Sequence, residues 1–116
     1  GSASNDFALF GGGNTGSATS GVVNAYSKTL TRSIVSNLSS NRETLTSASC
    51  GGFTLFAGGY TGSATVDTVD VYNPSLVKIS ISNLSLARSR MSSVSFHNNA
   101  MIGPGWSTVI DVYQAN

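Results

Sequence analysis

The chain has 116 residues, which suits one small domain and excludes a large multidomain enzyme. Hydrophobic residues make up 40% of it and charged residues only 9%, against roughly 25% charged residues in ordinary soluble domains. Ser, Thr and Asn supply 42 residues and Gly a further 13, a composition typical of short strands and turns rather than helices.

The net charge and the single cysteine exclude several classes of function. A net charge of +1 leaves no basic field that could neutralise a nucleic-acid backbone. No run approaches the roughly 18 apolar residues of a membrane span, and we read no signal peptide at the N-terminus. One cysteine excludes an internal disulfide and a cysteine-based zinc site. We therefore expect no nucleic acid, no membrane, no metal and no cofactor, and the compartment stays unknown.

The chain contains an internal repeat. Residues 7–19 read FALFGGGNTGSAT and residues 53–65 read FTLFAGGYTGSAT, ten identities in thirteen positions at an offset of 46. A third copy follows, in which residues 100–106 take the place of 54–60. In that copy VIDVY at 109–113 takes the place of TVDVY at 68–72, so five residues have been lost from the intervening loop. Almost the whole chain is therefore built from one unit.

The apolar spacing within a unit predicts short strands. In the second and most complete copy we place strands at about 45–50, 53–57, 66–72 and 77–82, separated by Gly-rich and Asn-Pro turns. A helix-poor unit of four antiparallel strands and about 46 residues is typical of a β-propeller blade. The predicted fold is all-β, with about 2.5 to 3 such blades in the chain.

The repeated residues resemble the Kelch family. The pattern is an apolar strand, a Gly-Gly pair, a loop, V-D-V-Y-N-P, a further strand, and an Arg near the next blade. The repeated residues that we interpret as structural are Gly12, Gly13, Gly58, Gly59, Tyr26, Tyr72 and Tyr113. The usual Kelch Trp after the Tyr is missing, and Gly58-Gly59 becomes Pro104-Gly105 in the last copy. The low-charge style is similar to Kelch-like arrays of bacterial and phage-encoded surface proteins, which implies a virion or cell surface.

The predicted blades form one propeller segment, residues 1–116. Blade 1 covers about 1–40, blade 2 about 41–88, and blade 3, which lacks its last strand, about 89–116. Propellers close with typically four to eight blades, so three blades leave two apolar faces open. Two explanations stay open: two copies form a six-bladed homodimeric ring, or the missing blades belong to a longer chain.

One side of the predicted blades is the candidate binding face. In such a blade, the loop between the second and third strands lies on the same side as the loop leading to the next blade. This side collects aromatic, polar and basic side chains: Asn14, Tyr60, Asp67, Trp106, Arg42, Arg88 and Arg90. Aromatic rings beside guanidinium groups suit sugars, carboxylates or peptide side chains. We therefore expect a protein or glycan ligand.

Alternatives stay open for several of these residues. Arg42 and Arg88 recur at the repeat spacing, so they could instead form ion pairs within the blade. Trp106, the only tryptophan, could either contact a ligand or pack in its shortened loop.

No catalytic set emerges from the sequence. Asp70 and Asp111 are repeat-equivalent and are interpreted as structural, since an acid–base pair needs two carboxylates in different environments. His97 lies in a turn on the opposite side, and Cys50 is predicted to be a buried small hydrophobic residue. The function expected is non-enzymatic recognition or scaffolding; the alternative is a purely structural segment that self-assembles without a ligand.

Overall fold

A computed structural model describes residues 1–115. The expectation of an all-β fold is confirmed, because this part of the chain forms eleven strands in three antiparallel sheets and contains no helix. It therefore holds no helix that could cross a membrane. Residue 116, at the end of the expected third blade, lies outside the described residues.

Each sheet is formed by strands that follow one another along the chain. Sheet 1 contains β1 (Ser2–Ala3), β2 (Phe7–Gly11), β3 (Val23–Ser27) and β4 (Arg32–Val35). Sheet 2 contains β5 (Thr46–Cys50), β6 (Phe53–Ala57), β7 (Val69–Tyr72) and β8 (Lys78–Ser80). Sheet 3 contains β9 (Ser93–Phe96), β10 (Asn99–Ile102) and β11 (Asp111–Gln114). In all three sheets the spatial order equals the chain order, so neighbouring strands are consecutive along the chain.

The four strands predicted for the second repeat are confirmed: β6 has the expected bounds, and the other three are shorter by one to three residues. β7 begins at Val69 rather than at 66, because residues 66–68 form hydrogen bonds within the β6–β7 loop. Val66 N–H donates to the Gly59 carbonyl (3.0 Å), and Gly58 N–H donates to the Thr68 carbonyl (2.9 Å). β8 ends at Ser80. The central strand β6 is covered on both faces, as its nearly continuous apolar sequence predicts.

Two apolar clusters hold the sheets together face to face. Between sheets 1 and 2, Leu9, Val23 and Ala25 pack with Phe56 and Tyr72. The cluster between sheets 2 and 3 consists of Ala48, Cys50, Leu55, Ala57, Val69, Val71, Leu84, Ala100 and Ile102. Since successive side chains on a strand point to opposite faces, the single strand β6 contributes to both clusters.

Two of the three repeated tyrosines, Tyr72 and Tyr113, join neighbouring sheets. The Tyr72 hydroxyl donates to the Ser36 carbonyl of the preceding repeat, and the Tyr113 hydroxyl donates to the equivalent Ser82 carbonyl (3.0 Å). Each ring therefore contributes apolar area to an interface and satisfies its polar atom there. Tyr72 also packs edge-on against Phe56, with ring centroids 5.9 Å apart.

These tyrosines predict a loss of stability at high pH. Burial raises the pKa of Tyr113 to about 12 and raises the pKa of Tyr72 as well, with Asp111 and Asp70 adding to the effect. The unfolded chain loses these protons near pH 10, before the folded chain does. The free energy of unfolding should therefore be unaffected by them below about pH 9 and fall as the pH rises from about 10 towards 12.

Urea denaturation from pH 8 to 11.5 measures this, with Tyr72→Phe as the matched variant. Removing one phenol should flatten the pH dependence above pH 10 by up to about 1.4 kcal/mol per pH unit. Equal slopes for the two proteins would contradict the assignment.

Candidate ligand-binding loop face

The loops that follow β2 and β6 meet the segments that connect successive sheets. Gly13 N–H donates to the Arg42 carbonyl (2.7 Å), and Gly59 N–H donates to the Arg88 carbonyl (2.8 Å). Glu43 and Tyr60 exchange two backbone hydrogen bonds, of 2.9 and 2.8 Å. We call this side of the molecule the loop face: the loops after β2, β6 and β10, with connecting segments 36–45 and 81–92. The structure places these loops and connecting segments together, as the sequence led us to expect.

Three of the four paired glycines lie where these segments approach: an added Cβ would meet a backbone oxygen at Gly12, Gly58 and Gly59, whereas at Gly13 it would meet nothing within 4 Å. Gly12, Gly13, Gly58 and Gly59 all have positive φ, and a Cβ on Gly58 would lie 2.5 Å from the Arg88 carbonyl oxygen. All four glycines therefore adopt backbone conformations that other residues rarely take, which agrees with the structural role interpreted from the sequence.

Two of the predicted ligand-binding residues are interior. Arg42 is 0% exposed, and Arg88 is buried as well. Arg42 Nη2 donates to Asp70 Oδ2 (2.8 Å) and Nη1 to the Thr68 carbonyl (3.2 Å), while Arg88 pairs with Asp111 in the same way. The binding role predicted for Arg42 and Arg88 is therefore corrected, because their guanidinium groups join a connecting segment to the following sheet and do not face solvent. Of the two interpretations, ion pairing is the one that the structure supports.

Serines of the repeated Asn-Leu-Ser motif complete these ion pairs. Both the backbone N–H and the hydroxyl of Ser39 donate to Asp70 Oδ2 at 3.0 Å. Ser85 donates to the Asp111 carboxylate in the equivalent way. The joint recurrence of Ser, Arg and Asp at one spacing was the sequence signal that could have revealed this network.

The side chains of Asn14 and Asp67 form hydrogen bonds with other residues of the chain. Asn14 Nδ2 donates to the Glu43 carboxylate, and Asn14 Oδ1 accepts from Gly16 N–H (2.7 Å). Asp67 Oδ1 accepts from Asn83 Nδ2 (3.2 Å). Neither side chain lines the pocket described next, and Asn14 is connected to it only through its hydrogen bond to Glu43.

A small pocket of about 180 Å³ opens on the loop face. It is lined by Glu43, Thr44, Tyr60, Ser89 and Arg90. Thr44 and Arg90 occupy equivalent positions in successive connecting segments, and Arg90 N–H donates to the Thr44 carbonyl (2.8 Å). Both have left-handed backbone, with φ of 52° and 55°, which is uncommon outside glycine and asparagine. The pocket therefore lies where connecting segments 36–45 and 81–92 meet.

Arg90 and Trp106, both predicted to bind a ligand, are exposed on this face. Arg90 is exposed, and no acidic side chain within residues 1–115 forms an ion pair with it. Trp106 is 80% exposed, which contradicts the alternative that it packs within its loop. A Cβ on Gly105 would lie 2.4 Å from the Ser89 carbonyl oxygen, so the loop of Trp106 lies directly beside the pocket. Glu43, the acidic residue of the pocket, was not singled out from the sequence because it does not recur.

The remaining reactive side chains lie away from this pocket. Cys50 is buried, as predicted, and burial raises the pKa of its thiol, so its thiolate form is disfavoured. His97 stacks edge-on with Phe96 in the β9–β10 turn, 4.4 Å between ring centroids. In the described part of the chain, His, Cys, Asp and Glu nowhere gather in groups of three or more that could hold a metal.

Comparison with known proteins gives a similarity of fold. No protein-family model matches the sequence, and no curated protein sequence matches it. The solved structure of YjhT superposes with a TM-score of 0.76 at 15% sequence identity, covering 96% of this chain and 40% of YjhT. This chain therefore spans less than half the length of YjhT and shares the fold of that portion.

Proposed function

We propose that this chain is a non-enzymatic segment of a Kelch-type β-propeller, which recognises a protein or glycan ligand on its loop face. The repeat of 46 residues, the antiparallel sheets of four, four and three strands stacked face to face, and the paired glycines support the propeller assignment. Each sheet then corresponds to one blade. The resemblance to bacterial and phage-encoded surface arrays favours a virion or cell-surface setting.

One observation carries the recognition role. Of the three arginines in the connecting segments, Arg42 and Arg88 are buried in ion pairs, whereas Arg90 lies exposed at a pocket beside Tyr60. A guanidinium without an internal partner binds carboxylates through two parallel hydrogen bonds, and neighbouring aromatic rings pack on sugar or peptide groups. The proposed ligand therefore carries a carboxylate next to an apolar face.

Fluorescence titration tests this proposal, since Trp106 is the only tryptophan and reports on the loop face alone. The probes are acidic and neutral oligosaccharides, together with acidic and neutral peptides. At least one carboxylate-bearing probe should change the emission and saturate, and its neutral counterpart should not. Absence of binding across both acidic sets would overturn the recognition role.

A matched pair of arginine variants then locates the site. Arg90→Ala should weaken binding of the acidic probe at least tenfold, because a hydrogen bond to a charged group contributes about 1.5–3 kcal/mol. Arg32→Ala, on the exposed strand β4, removes the same charge elsewhere and should leave the affinity within twofold. Trp106→Ala, measured by calorimetry, should also weaken binding. Equal effects of Arg90→Ala and Arg32→Ala would indicate attraction by net charge only.

The second candidate function is purely structural: a segment whose role is self-assembly, with no ligand. The exposed apolar faces of sheets 1 and 3 favour it. The double variant Arg90→Ala/Trp106→Ala separates the two functions, since only the recognition role predicts lost binding with unchanged assembly.

A further inference from the structure

The outer faces of sheets 1 and 3 are apolar and exposed. On sheet 1 this face consists of Ala8, Phe10, Asn24 and Tyr26, and on sheet 3 of Val94, Phe96, Met101, Ile110 and Val112. Large exposed apolar patches of this kind mark interaction surfaces in soluble proteins. The two interfaces inside the chain show what such faces contact.

The open face of sheet 1 matches a face that is buried in sheet 2. Phe10 and Tyr26 are the repeat equivalents of Phe56 and Tyr72, and both pairs make the same edge-on ring contact, at 6.0 and 5.9 Å. Yet Phe56 is 1% exposed and Phe10 is 55% exposed. The open face of sheet 1 is thus already arranged like the face of sheet 2 that packs on the preceding sheet.

The open face of sheet 3 is equivalent to the face of sheet 2 that packs on the following sheet. Ile110, 60% exposed, is the equivalent of Val69, which is 4% exposed against sheet 3. A groove of about 200 Å³ runs along this face between Val94, Gly103 and Ile110. In sheet 1 the equivalent of Gly103 is Gly11, and the Phe56 ring lies against it, 3.0 Å from where a Cβ would be. The groove at Gly103 therefore has the features of a site for a phenylalanine ring.

The open face of sheet 1 has an asparagine where the other two repeats have an aspartate, so covering this face requires no arginine from a connecting segment. At the two internal interfaces the buried carboxylate of Asp70 and the half-buried carboxylate of Asp111 are paired with Arg42 and Arg88 from connecting segments. The equivalent position on the open face of sheet 1 is Asn24. A neutral amide can be covered without a cation, whereas an unpaired buried carboxylate would be strongly destabilising. This favours a partner that is a separate molecule.

We propose that the open face of sheet 1 packs on the open face of sheet 3 of a second copy of this chain, with Phe10 in the groove beside Gly103. Two copies make two such contacts, so every apolar face in the pair is covered. That two copies suffice rests on the propeller geometry proposed above; the contact between the faces rests on the repeat equivalences alone.

The solution mass of the unmodified chain is the first test. Light scattering after size exclusion, across a dilution series, should give about twice the 11.9 kDa of one chain. A mass of one chain throughout would overturn the proposal and indicate that further sheets of a longer chain cover these faces. A mass that rises steadily with concentration would also overturn it, since head-to-tail contacts that do not close form filaments.

Charge substitutions then test the head-to-tail arrangement. Phe10→Asp should reduce the mass to that of one chain, because it places a carboxylate against Ile110 in both contacts, and Ile110→Lys should do the same. An equimolar mixture of the two variants should return to about twice the chain mass. The mixed pair contains one unmodified contact and one in which the introduced carboxylate faces the introduced ammonium. If neither variant lowers the mass, or if the mixture stays at one chain, the arrangement is wrong.

Two controls keep the outcomes distinct. Val77→Asp introduces a charge at an exposed apolar residue outside both faces and should leave the mass of the pair unchanged. Arg90→Ala should also leave it unchanged, so a failure of ligand recognition and a failure of pairing give different results. Far-UV circular dichroism verifies that each variant keeps the strands of the single chain.

Discussion

Replacing Arg42 by methionine is expected to lower the free energy of unfolding by about 3–5 kcal/mol, because it leaves the Asp70 carboxylate buried without its cation. The guanidinium is fully buried and donates both to Asp70 and to the Thr68 carbonyl, so two acceptors lose their donor at once. A domain of this size has about 5–15 kcal/mol of stability in total, so the loss is a large part of it.

Urea denaturation at one fixed protein concentration measures this effect, since pairing of chains would make the apparent stability depend on concentration. Arg32→Met is the matched control: Arg32 is exposed on β4, so its replacement should change the stability by no more than about 0.5 kcal/mol. The double variant Arg42→Met/Asp70→Asn should lose less than the sum of the two single variants, because no charge is then left unpaired. A loss below about 1 kcal/mol for Arg42→Met would show that the pair contributes little.

The second large effect is expected at Gly58. Gly58→Ala should lower the free energy of unfolding by about 2–5 kcal/mol, combining the cost of left-handed backbone with a steric clash. Gly58 has a φ of +63°, and its Cβ would lie 2.5 Å from the Arg88 carbonyl oxygen. Since that oxygen is backbone, the connecting segment between sheets 2 and 3 would have to move.

Gly62→Ala separates the two causes. Gly62 has a φ of +98° but meets no atom within 4 Å of an added Cβ, so its replacement tests backbone conformation alone. We expect a loss of about 1–2 kcal/mol there. Denaturation curves that place the two variants at the same midpoint would contradict the close approach of Arg88 to Gly58.

Both effects act at the junctions between sheets. Arg42 joins a connecting segment to sheet 2, and Gly58 allows the Arg88 segment to approach the loop after β6. The same segments carry Glu43 and Arg90 to the pocket of the loop face. Variants at these junctions are therefore expected to weaken ligand recognition as well as stability, whereas Arg90→Ala should affect recognition alone.

The repeated sequence was enough to predict the all-β fold and the strands of the second unit. It also predicted that the loops lie together on one side. These follow from local physics: period-two apolar spacing specifies strands, and Gly-Gly and Asn-Pro sequences specify turns. A unit that recurs in one chain must bury its faces against its neighbours, so the arrangement of sheets could also be predicted.

Which of the polar residues are buried and which are exposed to solvent is known only from the tertiary structure. Arg42, Arg88 and Arg90 are chemically identical, and the sequence predicted all three on the candidate binding face. Only the positions of Asp70 and Asp111 on the following sheets turn the first two inward, and no acidic residue in residues 1–115 does so for Arg90. Burial depends on contacts between segments distant along the chain, so the recurrence of Arg42 and Arg88 left ion pairing and ligand binding open, and only the tertiary structure distinguishes them. For the same reason Phe10 and Phe56, equivalent in the repeat, differ in exposure: one has a neighbouring sheet in this chain and the other does not.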